Sequence, residues 1–170
     1  MISTITQVVE PPVAWRARRR SPGSDIAIRQ FNMNTTKIKL RTKGNNDIID
    51  ITPQLEEIVR REKLGDGVLF LSVIGSTTAI TTMEFEPGLE ADVKAMCEKL
   101  FPYRKDYKHN ATWSDDNGHS HLRSTFLKTS MFVTVTEGAM DLGQWQQVVL
   151  MDFDTRERGR TVVVKILKGC

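Results

Sequence analysis

Three histidines fall in one short stretch of the chain: His109, His119 and His121. Imidazole transfers protons near neutral pH and is a common metal ligand, so this stretch is a candidate for acid–base chemistry or for binding Zn²⁺. His119 and His121 share a face on an extended segment but point about 200° apart on a helix. Two histidines at this spacing without a third close ligand are a weak zinc signal, and surface histidines of a polar loop are the competing interpretation.

A second candidate is the hydroxyl-rich segment that follows a continuous apolar run. Ser76, Thr77 and Thr78 come directly after residues 67–75. Hydroxyl and backbone N–H groups that leave a sheet together are suited to bind phosphate or carboxylate oxygens. The segment lacks the glycine spacing and the Gly-Lys pair of a P-loop. The alternative is a turn whose side chains satisfy its own backbone.

Carboxylates near these segments offer a site for a hydrated divalent cation. Glu84, Glu86, Asp115 and Asp116 carry the oxygen ligands that Mg²⁺ takes when it contacts phosphates. Asp115 and Asp116 are equally well explained as helix-capping residues. Trp145 is suited to stack on a flat heterocycle, although a tryptophan of the core or of an interface is the simpler interpretation.

The elements that must position these groups are mostly strands. Alternation over residues 36–42 predicts a first strand, the apolar run 67–75 predicts a buried central strand, and helical spacing of apolar residues predicts an amphipathic helix over 88–101. Strands with about three inserted helices indicate an α+β fold with a mostly antiparallel or mixed sheet. The remaining predicted elements are a strand at 48–51, a helix opened by Thr52 as N-cap and ending at 65, a polar connection at 102–118, a helix at 119–128, and strands at 131–136, 145–153 and 161–167, the last two joined by a hairpin loop at 154–160.

Composition and charge indicate one globular domain with a basic extension. Hydrophobic residues make up 39% of the chain, and no apolar run reaches the ~18 residues of a membrane helix. Residues 1–30 carry five arginines against two acidic residues, and we interpret them as a tail that precedes a domain over 31–170. The remainder has no net charge, which disfavours nucleic-acid binding. Two cysteines without metal-type spacing are typical of the reducing cytoplasm.

Several short motifs, taken in order, resemble those of the YjbQ family, which is often labelled secondary thiamine-phosphate synthase. The resemblance runs from about residue 34 to 169. The family usually has histidine where this chain has Ser76, and threonine where it has Gln144. The motifs are Gly75-Ser76-Thr77-Thr78-Ala79, Glu84, Tyr107-Lys108-His109, Asn117-Gly118-His119-Ser120-His121-Leu122, Glu137-Gly138, Leu142-Gly143-Gln144-Trp145-Gln146 and the closing strand at 160–166.

The resemblance implies a domain that assembles as a homotrimer and acts on a small phosphorylated ligand, with Mg²⁺ or Zn²⁺ as the candidate cofactor. The implied reaction transfers a pyrimidinylmethyl group from its pyrophosphate to a thiazole phosphate. The protein would position the reactants and stabilise the charge of the leaving pyrophosphate. The residues implied are His109, His121 and Glu84 for catalysis, Ser76, Thr77, Thr78, Asn117 and Gln146 for phosphate or substrate binding, and His109, His119 and His121 for a metal.

Two other functions stay open from the sequence. A non-catalytic homotrimer that binds phosphate or a metal is compatible with the missing imidazole at Ser76, because a family pocket can be retained for binding alone. A zinc-dependent hydrolase would use Glu84 as its base. That hydrolase also requires His119 and His121 to face the same site. Whether the chain is an enzyme is therefore left open.

Overall fold

The structured part of the chain consists of strands with helices inserted between them. The computed structural model describes residues 33–103 and 106–169, and the predicted tail at 1–30 lies outside these residues. The strands are β1 Met33–Thr42, β2 Asp47–Asp50, β3 Gly67–Val73, β4 Thr78–Met83, β5 Ser130–Thr136, β6 Ala139–Met140, β7 Gln147–Asp152 and β8 Arg158–Lys168. The helices are α1 Thr52–Arg61, α2 Pro87–Leu100, α3 Lys108–Trp113 and α4 Gly118–Leu127.

The strands form two sheets in which neighbouring strands are antiparallel. The larger sheet has the order β1-β8-β3-β5-β6, and the smaller sheet has the order β2-β7-β4. The main hydrophobic core contains side chains of both sheets and of α1, among them Ile38, Leu55, Leu69 and Leu150. On β1 the lysines alternate with these inward residues, so the predicted period-two strand is confirmed.

β7 is buried on both faces, because its two sides belong to different cores. Val148 and Leu150 contribute to the core that also contains α1. Val149 and Met151 contribute to a second core, which includes Cys97 of α2. Burial raises the pKa of the Cys97 thiol, in agreement with the inert core cysteine that the helical pattern predicts.

Three sequence predictions need correction. β3 alternates between buried and exposed residues, with Phe70 43% exposed, so its apolar run does not make it a strand buried on both faces; β7 has that position instead. Residues 154–160 do not form a hairpin, since β7 and β8 lie in different sheets. Thr52 is not the N-cap of α1 but its first residue, and its hydroxyl oxygen accepts the N–H of Val148 at 2.8 Å.

The α+β class with antiparallel sheets is confirmed. The described residues form four helices where about three were predicted. The additional helix is α3, which lies within the predicted polar connection at 102–118. Because α3 and α4 follow one another closely, the histidine-rich stretch folds as two consecutive helices rather than as an open loop.

Candidate functional site

One surface cavity brings the hydroxyl-rich segment next to a histidine. Gly75 and Ser76, which follow β3, line a cavity of about 340 Å³ together with His121 of α4. Lys128, the C-cap of α4, lines the same cavity. The other lining residues are Ser124, Thr125 and Thr129. The lining is therefore rich in hydroxyl groups and includes one lysine.

Hydrogen bonds fix α4, and with it His121, against β4. Ser124 Oγ donates to the Thr78 carbonyl at 2.6 Å, and Ser120 Oγ donates to the Phe153 carbonyl. All of these groups are buried. A shift of α4 would leave buried carbonyls without their donors, which is costly. The position of His121 relative to the cavity is thus set by the packing of the helix.

The ring of His121 packs against the ring of His109 of α3. The ring centroids are 4.3 Å apart, with 52° between the planes. Nε2 of His109 lies 3.7 Å from Oδ1 of Asp115. The Asn117 amide nitrogen, turned toward these groups, donates to both Asp115 oxygens and to His109 Nε2 at 3.2 Å each. Asp115 and Asn117 therefore orient His109, and His109 contacts His121 at the edge of the cavity.

The surroundings of His121 shift its pKa. Burial lowers the pKa of His121 below its ordinary value, and the charge of His109 lowers it further. The Asp115 charge and the Ser76 backbone act in the opposite direction but do not cancel the decrease. The neutral imidazole therefore predominates at pH 7, with one nitrogen as a hydrogen-bond donor and the other as an acceptor.

A buried network of charges lies beneath the cavity. Arg160 binds Asp152 through two hydrogen bonds, from Nε to Oδ2 at 2.6 Å and from Nη2 to Oδ1 at 2.8 Å. Arg160 Nη2 also donates to Thr77 Oγ1 at 2.8 Å, and the Thr77 hydroxyl donates to Asp154 Oδ2 at 3.1 Å. These four residues are nearly inaccessible to solvent. The network ties the segment after β3 to β8 and to the end of β7.

Both carboxylates of the network have further donors. The Thr42 hydroxyl and the Asp154 N–H donate to Asp152, and Arg158 donates to both oxygens of Asp154 at 3.0 and 3.3 Å. Burial by itself raises the pKa of Asp154, but the hydrogen bonds from Arg158 and Thr77 outweigh it, and the pKa is lowered. Asp154 therefore stays ionised, as a buried carboxylate does when it is paired and hydrogen-bonded.

The structure separates the three hydroxyl residues predicted to bind phosphate. Ser76 is exposed and lines the cavity. Thr77 is used within the charge network, and the Thr78 side chain is fully buried, with no hydrogen-bond partner for its Oγ1 in the described residues. Only Ser76 presents a hydroxyl from this segment to a ligand, while Thr77 and Thr78 lie beneath it.

His119 lies apart from His109 and His121. It is buried within α4, and its ring meets that of Tyr103 edge-on at 4.8 Å. Burial and then the Arg123 charge lower the pKa of His119. Over residues 33–103 and 106–169, no group of three or more His, Cys, Asp or Glu side chains could hold a metal ion. The hydrolase hypothesis therefore lacks the third zinc ligand that it requires.

Glu84 and Gln146 lie at the opposite end of the β4–β7 pair. β4 runs from Thr78 beside the cavity to Met83, and Glu84 follows. At about 3.3 Å per residue this separates the two ends by roughly 17 Å. Gln146 lines a different cavity of about 760 Å³, formed by α1, the β5–β6 turn and the segment before β7. Within one chain, the predicted site therefore does not include Glu84 or Gln146.

Sequence analysis does not single out the charge network. Asp152 and Asp154 are two residues apart, as are Arg158 and Arg160. Residues two apart share one face of a strand. A pair of acidic residues at this spacing, followed closely by a pair of basic residues at the same spacing, is the signal that could have identified the network. Interpreting 154–160 as an exposed hairpin loop hides that signal, because loop charges are normally solvated.

These features define an α+β domain of two antiparallel sheets with a polar cavity beside a histidine pair. The chain belongs to the family described as UPF0047 protein YjbQ-like, whose sequence profile matches residues 36–169. A UPF0047 protein of Archaeoglobus fulgidus is 39% identical over 77% of this chain and 99% of its own length. One of Methanothermobacter thermautotrophicus is 35% identical over 78% of this chain and 90% of its own length.

Solved structures show the same fold. A YbjQ-like protein of unknown function from Sulfolobus solfataricus P2 superposes with a TM-score of 0.77 and 32% identity, over 82% of this chain and 99% of that chain. An uncharacterized conserved protein of the yjbq/upf0047 family from Clostridium acetobutylicum has a TM-score of 0.70 and 29% identity, over 77% of this chain and 98% of that chain. The predicted family is therefore confirmed.

The predicted thiamine-phosphate synthase activity is wrong. The family and its curated relatives carry the description UPF0047, and the Sulfolobus structure is described as a protein of unknown function. The descriptions of these relatives give no activity that could be assigned to this chain, and they support neither of the two alternative functions. Any function must therefore be argued from the site itself. Separately, no helix of the described residues has the length and apolar character needed to cross a membrane.

Proposed function

We propose that this chain binds a small phosphorylated molecule in the Ser76–His121 cavity and moves a proton to or from it through the pair His109 and His121. The observation that carries the proposal is that Ser76, His121 and Lys128 line one cavity while the His121 ring contacts His109. A ligand in that cavity meets hydroxyl donors, a cation and an imidazole together. This combination suits phosphoryl oxygens, which accept several hydrogen bonds at once.

The backbone of the cavity lining adds a donor of the same kind. Ser76 lines the cavity, and its N–H group has no backbone partner within the described residues. Backbone N–H groups bind anions without requiring a formal charge. The network beneath, through Arg160 and Asp154, holds Thr77 and so keeps this segment in place before a ligand arrives.

Proton transfer follows from the lowered pKa of His121. An imidazole that is neutral at pH 7 can accept a proton from a bound ligand as a general base. When His121 becomes charged, Asp115 stabilises the pair electrostatically and Asn117 keeps the His109 ring oriented. His109 and His121 thus form an acid–base pair in which His121 contacts the ligand and His109 supports it.

Titration with inorganic phosphate and with phenyl phosphate, followed by calorimetry and by nuclear magnetic resonance of the imidazole groups, tests the binding. We expect Ser76→Ala and His121→Gln each to weaken binding by about tenfold, the loss of one charge-assisted hydrogen bond. Ser72→Ala is the matched control, because Ser72 is an exposed serine on the outer face of β3. Equal affinity in wild type and both cavity variants would refute the proposal.

A metal ion enters this proposal only as a partner of the ligand. The described residues offer no group of three His, Cys, Asp or Glu side chains for a metal, so Zn²⁺ would take at most His109 and His121 from the chain and would need phosphate oxygens as further ligands. Mg²⁺ would bind chiefly through the phosphate and water. Elemental analysis of protein purified without a histidine tag tests this. We expect metal only in the presence of phosphate, and stoichiometric metal without it would contradict this arrangement.

The homotrimer is also part of the proposal. The outer face of the larger sheet exposes Phe70 and Phe132, which pair across β3 and β5, and Trp145 is 65% exposed before β7. Exposed aromatic groups of this size favour association between subunits. Light scattering coupled to size exclusion is expected to give three times the mass of one chain, and a monomer at micromolar concentration would contradict the homotrimer.

We also propose that the protein is located in the cytoplasm, which cell fractionation tests.

A further inference from the structure

Lys128 adopts a backbone conformation that disfavours its own side chain. At the C-cap of α4 it has φ 73° and ψ 154°. This combination belongs to a region that is essentially restricted to glycine, and other residues persist there only when the surroundings impose it. The surroundings are the two elements on either side: the Lys128 N–H donates to the Ser124 carbonyl, and the Lys128 carbonyl accepts from Ile80.

The strained residue lies on the candidate cavity. Lys128 lines the cavity with Ser76 and His121, and no ion pair of Lys128 is found in the part of the chain that the structure describes. Arg160 beneath the cavity is neutralised by Asp152 and Asp154. Among the described residues that line this cavity, Lys128 is therefore the one that carries an uncompensated positive charge.

We propose that Lys128 is the anion-selecting residue of the cavity, and that its ammonium group restricts the ligand to dianionic phosphoryl groups. This inference rests on the proposed function of the cavity and deepens it. The carbonyl end of α4 carries partial negative charge and opposes an anion at this position. A full positive charge on Lys128 reverses that potential, more strongly for a dianion than for a monoanion.

Three variants separate the charge from the strain. Lys128→Gln keeps a polar unbranched side chain and removes the charge, so we expect binding of phenyl phosphate to weaken about tenfold, with at most the small decrease in melting temperature that follows from losing a positive charge at a helix C-terminus. Lys128→Gly also removes the strain, so it should weaken binding equally while raising the melting temperature by ~3 °C or more. Lys63→Gly is the matched control, since Lys63 has φ 50° but lies at the other, larger cavity; binding should not change.

Selectivity is measured with phenyl phosphate and benzenesulfonate, which differ in charge at pH 7.5. Wild type should prefer phenyl phosphate by at least tenfold, and Lys128→Gln should lose most of that preference.

If Lys128→Gln binds phenyl phosphate as wild type does while His121→Gln does not, the inference on Lys128 is wrong and the proposed function stands. If Lys128→Gln lowers the melting temperature without weakening the binding of phenyl phosphate, the lysine stabilises the C-terminus of α4 instead, which also overturns the inference. If wild type binds neither probe, the proposed function itself fails, and this inference with it.

Discussion

The two ends of the β4–β7 pair differ in cavity size and in the groups that converge on them. The histidine end has the smaller cavity, about 340 Å³, but beneath it lie Asp152, Asp154 and Arg160, all buried. The glutamine end has the larger cavity, about 760 Å³, where Gln146 is exposed. Cavity size therefore favours the glutamine end as the ligand site, whereas the chemistry of the surrounding groups favours the histidine end.

This contrast shows that a larger cavity is not the better candidate site here. At the histidine end, a buried ion-pair network and two helix hydroxyls hold the rim in one arrangement, and pre-organised groups bind and react better than mobile ones. At the glutamine end, the lining charges lie in water, where their interactions are weak. If the two ends differ in this way, substitutions at the histidine end should lower the free energy of unfolding far more than substitutions at the glutamine end.

The largest expected effect comes from breaking the buried network. Arg160→Met leaves the Asp152 carboxylate buried without its ion-pair partner, and we expect the free energy of unfolding to fall by about 3–5 kcal/mol. Denaturant unfolding measures this. The control is Arg60→Met at the glutamine end, where Arg60 pairs with Glu57 in solvent, and the change there should stay within about 0.5 kcal/mol. Equal decreases in the free energy of unfolding for Arg160→Met and Arg60→Met would contradict the contrast between the two ends.

An intermediate effect is expected from detaching α4 from β4. Ser124→Ala removes the donor to the Thr78 carbonyl and should cost about 1–2 kcal/mol of unfolding free energy. Thr125→Ala, the exposed neighbour on the same helix, is the control and should change stability by less than about 0.5 kcal/mol. A neutral Ser124→Ala would mean that packing alone positions the helix.

A smaller effect is expected from pH. The pKa values of His119 and His121 are lowered in the folded chain, first by burial, so between these values and about 6.5 the unfolded chain binds more protons than the folded one. Stability should therefore be fully present above pH 7 and decline as the pH falls below about 6.5. Unfolding titrations between pH 7.5 and 5.5 should show a shallower decline in His121→Gln. A slope of opposite sign would contradict the lowered pKa values.

Local patterns predicted much of the fold because they depend on a few neighbouring residues. The alternation on β1 and the helical spacing on α2 correspond to the observed elements within a few residues. The prediction that β3 is buried on both faces was wrong. An apolar run of this length fits a strand buried on one face or on both, and only the neighbouring layers decide between the two. Those layers bury β7 on both faces instead.

The candidate site could be predicted only in part. The sequence indicated Ser76 and His121 because hydroxyls after a strand and clustered imidazoles are unusual local features. It also indicated His119, Glu84 and Gln146, which the structure places elsewhere. Helix geometry turns His119 away from His121, and strand length separates Glu84 from the cavity; both follow from element assignments that the motif alone does not supply.

The sequence by itself determined the family, the α+β class and the chemical groups available, because motif order and periodicity are properties of the chain. Only the tertiary structure decided that Arg160 pairs with Asp152 beneath Ser76 and that Lys128 faces the same cavity as His121. These contacts join residues of different sheets and helices, and their formation depends on how the layers pack. Packing is cooperative over the whole domain, so no local pattern records it.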